Sequence, residues 1–187
     1  MNREKMISRL KGKISDKRFE HSLGVEYTAA CLAMVHGADM EKARVAGLLH
    51  DCAKGLPTRD KLEKAYKHNL SVSNYERSNP DMLHAKLGAF YAKDKYDIND
   101  REILDAITYH TTGRPGMSLL EKIIFVADYI EPNRKMVKDM ELIRQEAFKD
   151  LDACVIHILK NTLDYLEESC ARIDDATRKT YEYYISE

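Results

Sequence analysis

The chain has 187 residues, 44% of them hydrophobic, and 30 basic against 31 acidic side chains leave a net charge of −1. That length fits one domain, or a domain with a small extension, able to bury a sizeable core. The balanced charge argues against a protein that coats nucleic acid, whose footprint is strongly basic. No apolar run approaches the ~20 residues of a membrane-spanning helix. Met1 to Lys13 is charged throughout and does not read as a signal peptide. Cys31, Cys52, Cys154 and Cys170 form no CxxC pair and read as reduced thiols, so a cytoplasmic location is expected. Eight Gly and four Pro are few for a chain of strands and tight turns, and the expected class is all-α.

Residues 2–11 read as a short amphipathic helix with Met6, Ile7 and Leu10 at helical spacing. Ser15 or Asp16 can cap the next helix, expected to run to about Val35. In it Phe19, Leu23, Tyr27, Ala30 and Met34 form one stripe, and His21, Val25, Leu32 and Val35 a second. A helix apolar on more than one side is central, which turns His21 inward. Gly37-Ala38-Asp39 is a turn, and a helix over about 40–53 follows. It contains Val45-Ala46-Gly47-Leu48-Leu49-His50-Asp51-Cys52-Ala53-Lys54-Gly55, an apolar run that ends in adjacent His and Asp. Adjacent helical residues point about 100° apart, so the pair can converge on one ion only at a helix end. Gly55 and Pro57 are stop signals that leave Lys54 in the last turn.

Thr58 is expected to cap a polar helix over about 59–68, and Asn69 to Ser78 reads as a loop. Asn79-Pro80-Asp81 is a helix start, with His84 in the first turn of a helix to about 96. Asn99 with Glu102 resembles a capping box opening a helix that ends at His110. A polar loop, Thr111 to Gly116, leads to the capping box Ser118-x-x-Glu121. The helix it opens, Leu119 to Ile130, is apolar nearly all round yet carries Asp128, and Pro132 stops it. Helices over about 139–148 and from Leu151 to Leu166 follow, and a short one after Asp174. Short connections point to one compact bundle.

His21, His50, Asp51, His84, His110 and Asp128 thus fall at helix ends or in apolar helical contexts. Burying an ionised carboxylate is costly unless it is paired or binds a metal, and one cation would serve Asp51 and Asp128 together. Each residue alone has a plainer reading. A lone His21 is a hydrogen-bonded core histidine, His84 a first-turn surface residue, and His110 a side chain favoured by the helix dipole. Asp128 could cap a neighbouring helix. His36, His68 and His157 match no pattern and read as structural or surface residues.

The ordered set His21…His50-Asp51…Asp128 resembles the HD-domain superfamily of metal-dependent phosphohydrolases. Four segments bring it closer to one family: Arg18-x-x-His21-x-x-x-Val25, Leu48-Leu49-His50-Asp51-x-Ala53-Lys54, Tyr109-His110-Thr111-Thr112-Gly113-Arg114-Pro115-x-Met117 and Ala127-Asp128-Tyr129-Ile130-Glu131-Pro132-x-Arg134. Together they resemble the YqeK family of symmetrically cleaving diadenosine tetraphosphate hydrolases, over nearly the whole chain. The resemblance implies one all-α HD-domain helical bundle over residues 1–187, a bound iron, and cleavage of the substrate into two molecules of ADP. It implies that His21, His50, Asp51 and Asp128 hold the metal. It also implies that Lys54, His84, His110, Thr111, Arg18 and Arg134 face the phosphates, with Asp51, Lys54, His84 and His110 carrying the chemistry. Near the C-terminus a His-Pro-x-Thr-like run is expected, where this chain has Ile173-Asp174-Asp175-Ala176-Thr177; Thr177 keeps the last position and is expected to bind substrate.

The chemistry follows from the residue types as well. Two histidines and two carboxylates leave metal positions open for water and a phosphate oxygen, and iron, manganese and zinc all accept this set. A polyphosphate needs cations around it, for which Lys54, Arg134, Arg18 and Arg114 are candidates. Arg114 reads equally well as a solvated loop charge. His84 and His110 are either phosphate donors, the reading preferred from sequence, or ligands of a second metal. The expected partner is a dinucleoside polyphosphate or nucleoside diphosphate, with no nucleic acid and no membrane. Tyr181 to Tyr184 could form a homodimer contact or pack internally. Three other readings stay open: an HD phosphohydrolase of other nucleotides, a di-iron oxygenase, and a nucleotide sensor without turnover.

Overall fold

A computed structural model describes all of residues 1–187. Eleven α-helices follow in order: α1 (Arg3–Lys11), α2 (Asp16–His36), α3 (Met40–Leu49), α4 (Thr58–Lys67), α5 (Asn74–Ser78), α6 (His84–Tyr96), α7 (Arg101–Tyr109), α8 (Leu119–Ile130), α9 (Met140–Ala147), α10 (Leu151–Glu168) and α11 (Asp175–Ser186). There is no strand, and no helix is long and apolar enough to cross a membrane. The local reasons are mostly caps. Asn2, Ser15, Asp39, Ser73, Asp100, Ser118, Asp150 and Asp174 each accept from a backbone N–H of the first turn they precede. Gly37, at φ 72°, closes α2 in the left-handed conformation that glycine adopts without steric cost.

The most enclosed helix is α8, which packs against α2, α3, α7 and α10. Ile123, Ile124, Val126 and Ala127 are fully buried, so its near-continuous apolar sequence is explained by neighbours on all sides. Each such buried Ile or Val side chain contributes about 1.5–3 kcal/mol relative to exposure. The closest helix pair is α2 with α3. A Cβ on Gly47 would lie 3.0 Å from Val25 O and from Glu26 Cα, so the two backbones nearly touch. That approach brings His21, early in α2, beside His50 at the end of α3.

Several elements differ from the expectation. The helix expected to 53 stops at Leu49; residues 50–56 form successive tight turns, with Cys52 N–H donating to Leu49 O and Lys54 N–H to Asp51 O. Unwinding here lets adjacent His50 and Asp51 face the same centre. The expected loop 69–78 contains α5, opened by a Ser73/Glu76 capping box. Residues Pro80–Leu83 are a 3₁₀ turn, and α6 proper begins at His84. Asp100, not Asn99, caps α7, and Thr58 is the first residue of α4, without a side-chain cap. On α2, Tyr27, Met34 and Val35 are exposed. The inner face runs instead through Phe19, Ser22, Val25, Glu26, Ala29 and Ala33, and Arg3 takes Tyr27 at its outer edge. At the C-terminus, Tyr184 is in the core and its hydroxyl accepts from Met117 N–H at 3.0 Å, so this tyrosine packs internally.

Candidate metal centre and phosphate cleft

Four histidines from four segments converge. His21 lies on α2, His50 at the end of α3, His84 at the start of α6 and His110 at the end of α7. All four are buried. In each, Nδ1 faces an oxygen of the protein: Glu131 Oε1 at 3.0 Å for His21, Gly47 O at 2.7 Å for His50, Asp81 O at 2.6 Å for His84 and Ile107 O at 2.7 Å for His110. A backbone carbonyl can only accept, so the neutral rings of His50, His84 and His110 carry their proton on Nδ1 and present Nε2 as a lone pair. This is the orientation in which metal-binding histidines are held.

The Nε2 atoms meet in the middle. Those of His21 and His50 are 3.3 Å apart, and those of His84 and His110 are 3.2 Å apart. Two lone pairs that close repel unless a cation lies between or beside them. Asp51 joins the two pairs. Its Oδ2 is 3.6 Å from His50 Nε2 and 3.9 Å from His21 Nε2, while its Oδ1 is 3.3 Å from His84 Nε2 and 3.8 Å from His110 Nε2. Oδ1 is buried and has no hydrogen-bond donor in the protein. Asp128 Oδ1 is 3.0 Å from His21 Nε2 and 3.7 Å from His50 Nε2. The donor atoms form three overlapping sets of close neighbours: His21-His50-Asp51, His50-His110-Asp128 and Asp51-His84-His110. An orphaned carboxylate oxygen facing imidazole lone pairs fits a divalent cation, and the residues present can hold one.

The charge states agree with that. Burial pushes His50 down to about 4, despite the pull of Asp51 and Asp128, and His84 down to about 3, so both are neutral near pH 7. Burial would raise Asp51, but the neighbouring imidazoles of His50, His84 and His110 outweigh it and hold the carboxyl well below its ordinary range. Asp128 is lowered likewise: burial opposes, and the hydrogen bond from His21, the His50 ring and the charge of Arg134 prevail. His21 is raised, because its contacts with Asp128 and Glu131 outweigh burial.

Three cations approach this centre. Arg18 Nη1 donates to Asp51 Oδ2 at 2.7 Å. Arg134 Nη2 donates to Asp128 Oδ1 at 2.6 Å and its Nε to Asp128 O at 2.7 Å. Lys54 Nζ lies 3.3 Å and 3.4 Å from the two ring nitrogens of His84, and its burial lowers its affinity for a proton. Thr111 Oγ1 is 3.2 Å from His110 Nε2. Arg114 is turned elsewhere: its Nε and Nη2 donate to the two carboxylate oxygens of buried Glu121, at 2.6 Å and 2.9 Å, and its guanidinium lies over the Tyr109 ring.

From Thr111 a cleft of 540 Å³ opens between the 73–76 segment, the 108–115 segment and the 172–179 segment. Tyr75 and Tyr109 supply aromatic walls, and Lys86, Arg172 and Lys179 supply positive charge. Gly113, at φ 63°, lets the 111–116 loop fold back against α11, where a Cβ would meet Thr180 Cγ2 at 2.8 Å. Thr177 is buried and does not itself line the cleft; its neighbours Ala176 and Lys179 do. The segment that departs from the family pattern, Ile173 to Ala176, is therefore cleft wall.

Sequence reasoning missed Glu131, Arg172 and Lys179. Glu131 is 1% exposed and supports His21 from 110 positions away. The one available signal was an acidic residue directly before the helix-stopping Pro132. Arg172, in the connection before α11, and Lys179, within α11, form no ion pair, and nothing local marks them.

The HD domain family model matches residues 18–133, the span that contains every histidine and carboxylate of the centre. A protein of Halalkalibacterium halodurans described as a symmetrical bis(5'-nucleosyl)-tetraphosphatase is 40% identical over 187 residues, covering 100% of this chain and 99% of that one. A protein of Bacillus subtilis with the same description is 38% identical over 186 residues, covering 100% and 99%. The crystal structure of an HD superfamily hydrolase from Clostridium acetobutylicum, described as involved in NAD metabolism, superimposes with a TM-score of 0.96 at 39% identity, covering 100% of this chain and 98% of that one. With its converging histidines and carboxylates and these full-length relatives, the chain belongs to the HD-domain superfamily and, within it, to the YqeK family.

Proposed function

We propose that this chain hydrolyses dinucleoside tetraphosphates, diadenosine tetraphosphate among them, at the middle of the phosphate chain to give two nucleoside diphosphates. A divalent metal held by His21, His50, Asp51 and Asp128 serves the reaction; iron is the ion assigned first, and manganese or zinc suit the same donors. The observation that carries the reading is the convergence of these four side chains, with His21 Nε2 3.3 Å from His50 Nε2, 3.9 Å from Asp51 Oδ2 and 3.0 Å from Asp128 Oδ1. A bound ion supplies a water of lowered pKa and polarises a phosphoryl oxygen. The protein's own part is to hold the anion. Arg18, Arg134 and Lys54 bring three positive charges to the centre, and guanidinium forks match phosphate oxygens. Thr111 can donate from its hydroxyl between the centre and the cleft. The aromatic walls offer faces for a base, and Arg172 and Lys179 offer charge for the outer phosphates, while Lys86 is paired with Glu76 at 2.8 Å.

For His84 and His110 the tautomers favour the second of the two sequence readings. With Nδ1–H committed to a backbone carbonyl, a neutral ring has no proton on Nε2 to donate to phosphate. Both Nε2 atoms face Asp51 Oδ1, which has no other partner. We therefore assign His84 and His110, with Asp51 as a shared carboxylate, to a second cation.

Product analysis tests the reading. Chromatography of an early time point with diadenosine tetraphosphate is expected to show ADP alone; ATP plus AMP overturns symmetrical cleavage. Metal analysis of the same preparation reads the ion and its stoichiometry. A panel of deoxynucleotides and cyclic dinucleotides, oxygen uptake, and binding without turnover separate the three other readings.

A further inference from the structure

A second cleft, of 400 Å³, opens where α1, the turn after Asp51 and the C-terminal half of α6 meet, and it shares no residue with the first. Its volume lies in the about 300–1,000 Å³ range of small-molecule sites. Its charge is one-sided. Arg9, Lys13 and Lys95 line it and no acidic side chain does. Lys95 pairs with its neighbour Asp94 outside the cleft, whereas Arg9 and Lys13 form no ion pair. Three cations around one concavity repel one another, and an anion between them relieves that.

The opposite wall is aromatic. Tyr96 is only 3% exposed, lines the cleft, and has no hydrogen bond from its hydroxyl to any protein atom. The Arg9 guanidinium lies over its ring, 5.7 Å from the centroid, which holds that cation beside it. Tyr91, half-buried and also without a hydrogen bond, supplies a second ring. A partly exposed ring that can stack on a base, Tyr91, next to cations without ion pairs that can hold phosphate, supplies the elements of nucleotide recognition. The sulfur of Cys52 and the backbone of Gly55 form the floor, and Gly55 is pressed onto Lys13 O, so the site is built into the turn behind the His50-Asp51 pair.

We propose that this cleft is a nucleoside phosphate site distinct from the hydrolytic centre, with the base against Tyr91, beside Tyr96, and the phosphates on Arg9 and Lys13. The nucleoside diphosphate product has the required chemistry, and that choice of ligand rests on the reaction proposed above; the site itself does not.

Photolabelling with azido-ADP followed by peptide mapping tests it on the full-length protein. Label is expected on peptides containing Tyr91 or Tyr96, and separately on those containing Tyr75 or Tyr109. In Arg9→Glu/Lys13→Glu, whose side chains are exposed and free to change, labelling at Tyr91 and Tyr96 should fall by about tenfold, as expected for lost charge-assisted contacts. Labelling at Tyr75 and Tyr109 should be unchanged. Tyr96→Phe, which removes only the hydroxyl, should lower labelling at Tyr91 as well. Absence of label at Tyr91 and Tyr96, or label that survives both variants, overturns the proposal. Displacement by inorganic pyrophosphate as effective as by ADP overturns the nucleoside assignment. Label at Tyr91 with none at Tyr75 or Tyr109 supports the site and counts against the hydrolase reading instead.

Discussion

Glu131 Oε1 lies 3.0 Å from His21 Nδ1, so one ring spans from a buried carboxylate on one side to Asp128 Oδ1, also at 3.0 Å, on the other. Glu131 is itself fixed, because its Oε2 accepts from Asn133 N–H at 2.7 Å. A carboxylate behind a ligand histidine sets the tautomer and raises ligand basicity, and its loss typically costs about 10–100-fold in metal affinity or activity. Glu131→Gln should therefore bind metal about 10–100-fold more weakly while turnover at saturating metal falls less. Gly24→Ala should behave alike, since a Cβ there would meet Glu131 Oε2 at 2.3 Å and displace it. Metal titration monitored by activity and by direct ion analysis checks both; unchanged affinity in Glu131→Gln would remove Glu131 from the site.

Asp51 faces two histidine pairs with its two oxygens. Asp51→Ala should lose bound ion and turnover together, because Asp51 lies within 3.9 Å of the Nε2 atoms of all four histidines. His84→Ala and His110→Ala should each lower the metal-to-protein ratio without emptying the site if they hold a second cation. Retention of the full ratio in both would return them to phosphate binding. Helical circular dichroism should be preserved in all three, because Asp51, His84 and His110 are held at helix ends.

Glu121 gives a test by acid. Burial raises its carboxyl, but the bonds from Arg114 and the Ser118 backbone outweigh it and hold the group below its ordinary 4.5. A lowered folded value means stability that is complete above the unfolded value and lost as pH falls through the folded one. Glu121→Gln should thus lower stability at pH 7 by about 2 kcal/mol, the scale of charged hydrogen bonds. The difference from the parent should shrink below about pH 4.5, as the carboxyl protonates first in the unfolded chain and then, at lower pH, in the native one. Thermal melts from neutral to acid pH check it; a constant difference across that range would mean that the ionised pair contributes nothing.

The parts readable from sequence were those with local causes. Ser118-x-x-Glu121 announced α8 because the two halves of a capping box are three residues apart, and Asp128 stood out because its helix had no polar face to hold it. His50 and Asp51 were legible as a pair, but not the break at Leu49 that turns them together. Tyr27 was placed on the wrong face because Arg3, arriving from α1, gives an exposed ring its partner. Glu131, Arg172 and the cleft walls take their roles from contacts across the fold, and no spacing encodes them. Arg114 had two readings from sequence; its bidentate bond to Glu121 and its place over Tyr109 make it a brace for the 111–116 loop.

Lys54 and Arg134 separate substrate-holding from metal-holding. Neither can ligate a cation, since ammonium and guanidinium groups offer no lone pair. Lys54 reaches His84 from the same turn as Asp51, and Arg134 reaches back to Asp128 from the loop after Pro132. Lys54→Ala should keep the metal and lose about 2.7–4 kcal/mol of transition-state stabilisation, the cost of one preorganised donor at a developing charge. Arg134→Ala should show the same loss together with weaker metal retention, because Arg134 also holds the Asp128 carboxylate through a 2.6 Å bond. For both, the loss should be much larger on a tetraphosphate than on a small phosphate diester, which brings less charge to neutralise. The comparison is kcat/KM on the two substrates with ion content measured alongside. Equal losses on both substrates, or loss of metal from Lys54→Ala, would mean that these cations support the fold and not the anion.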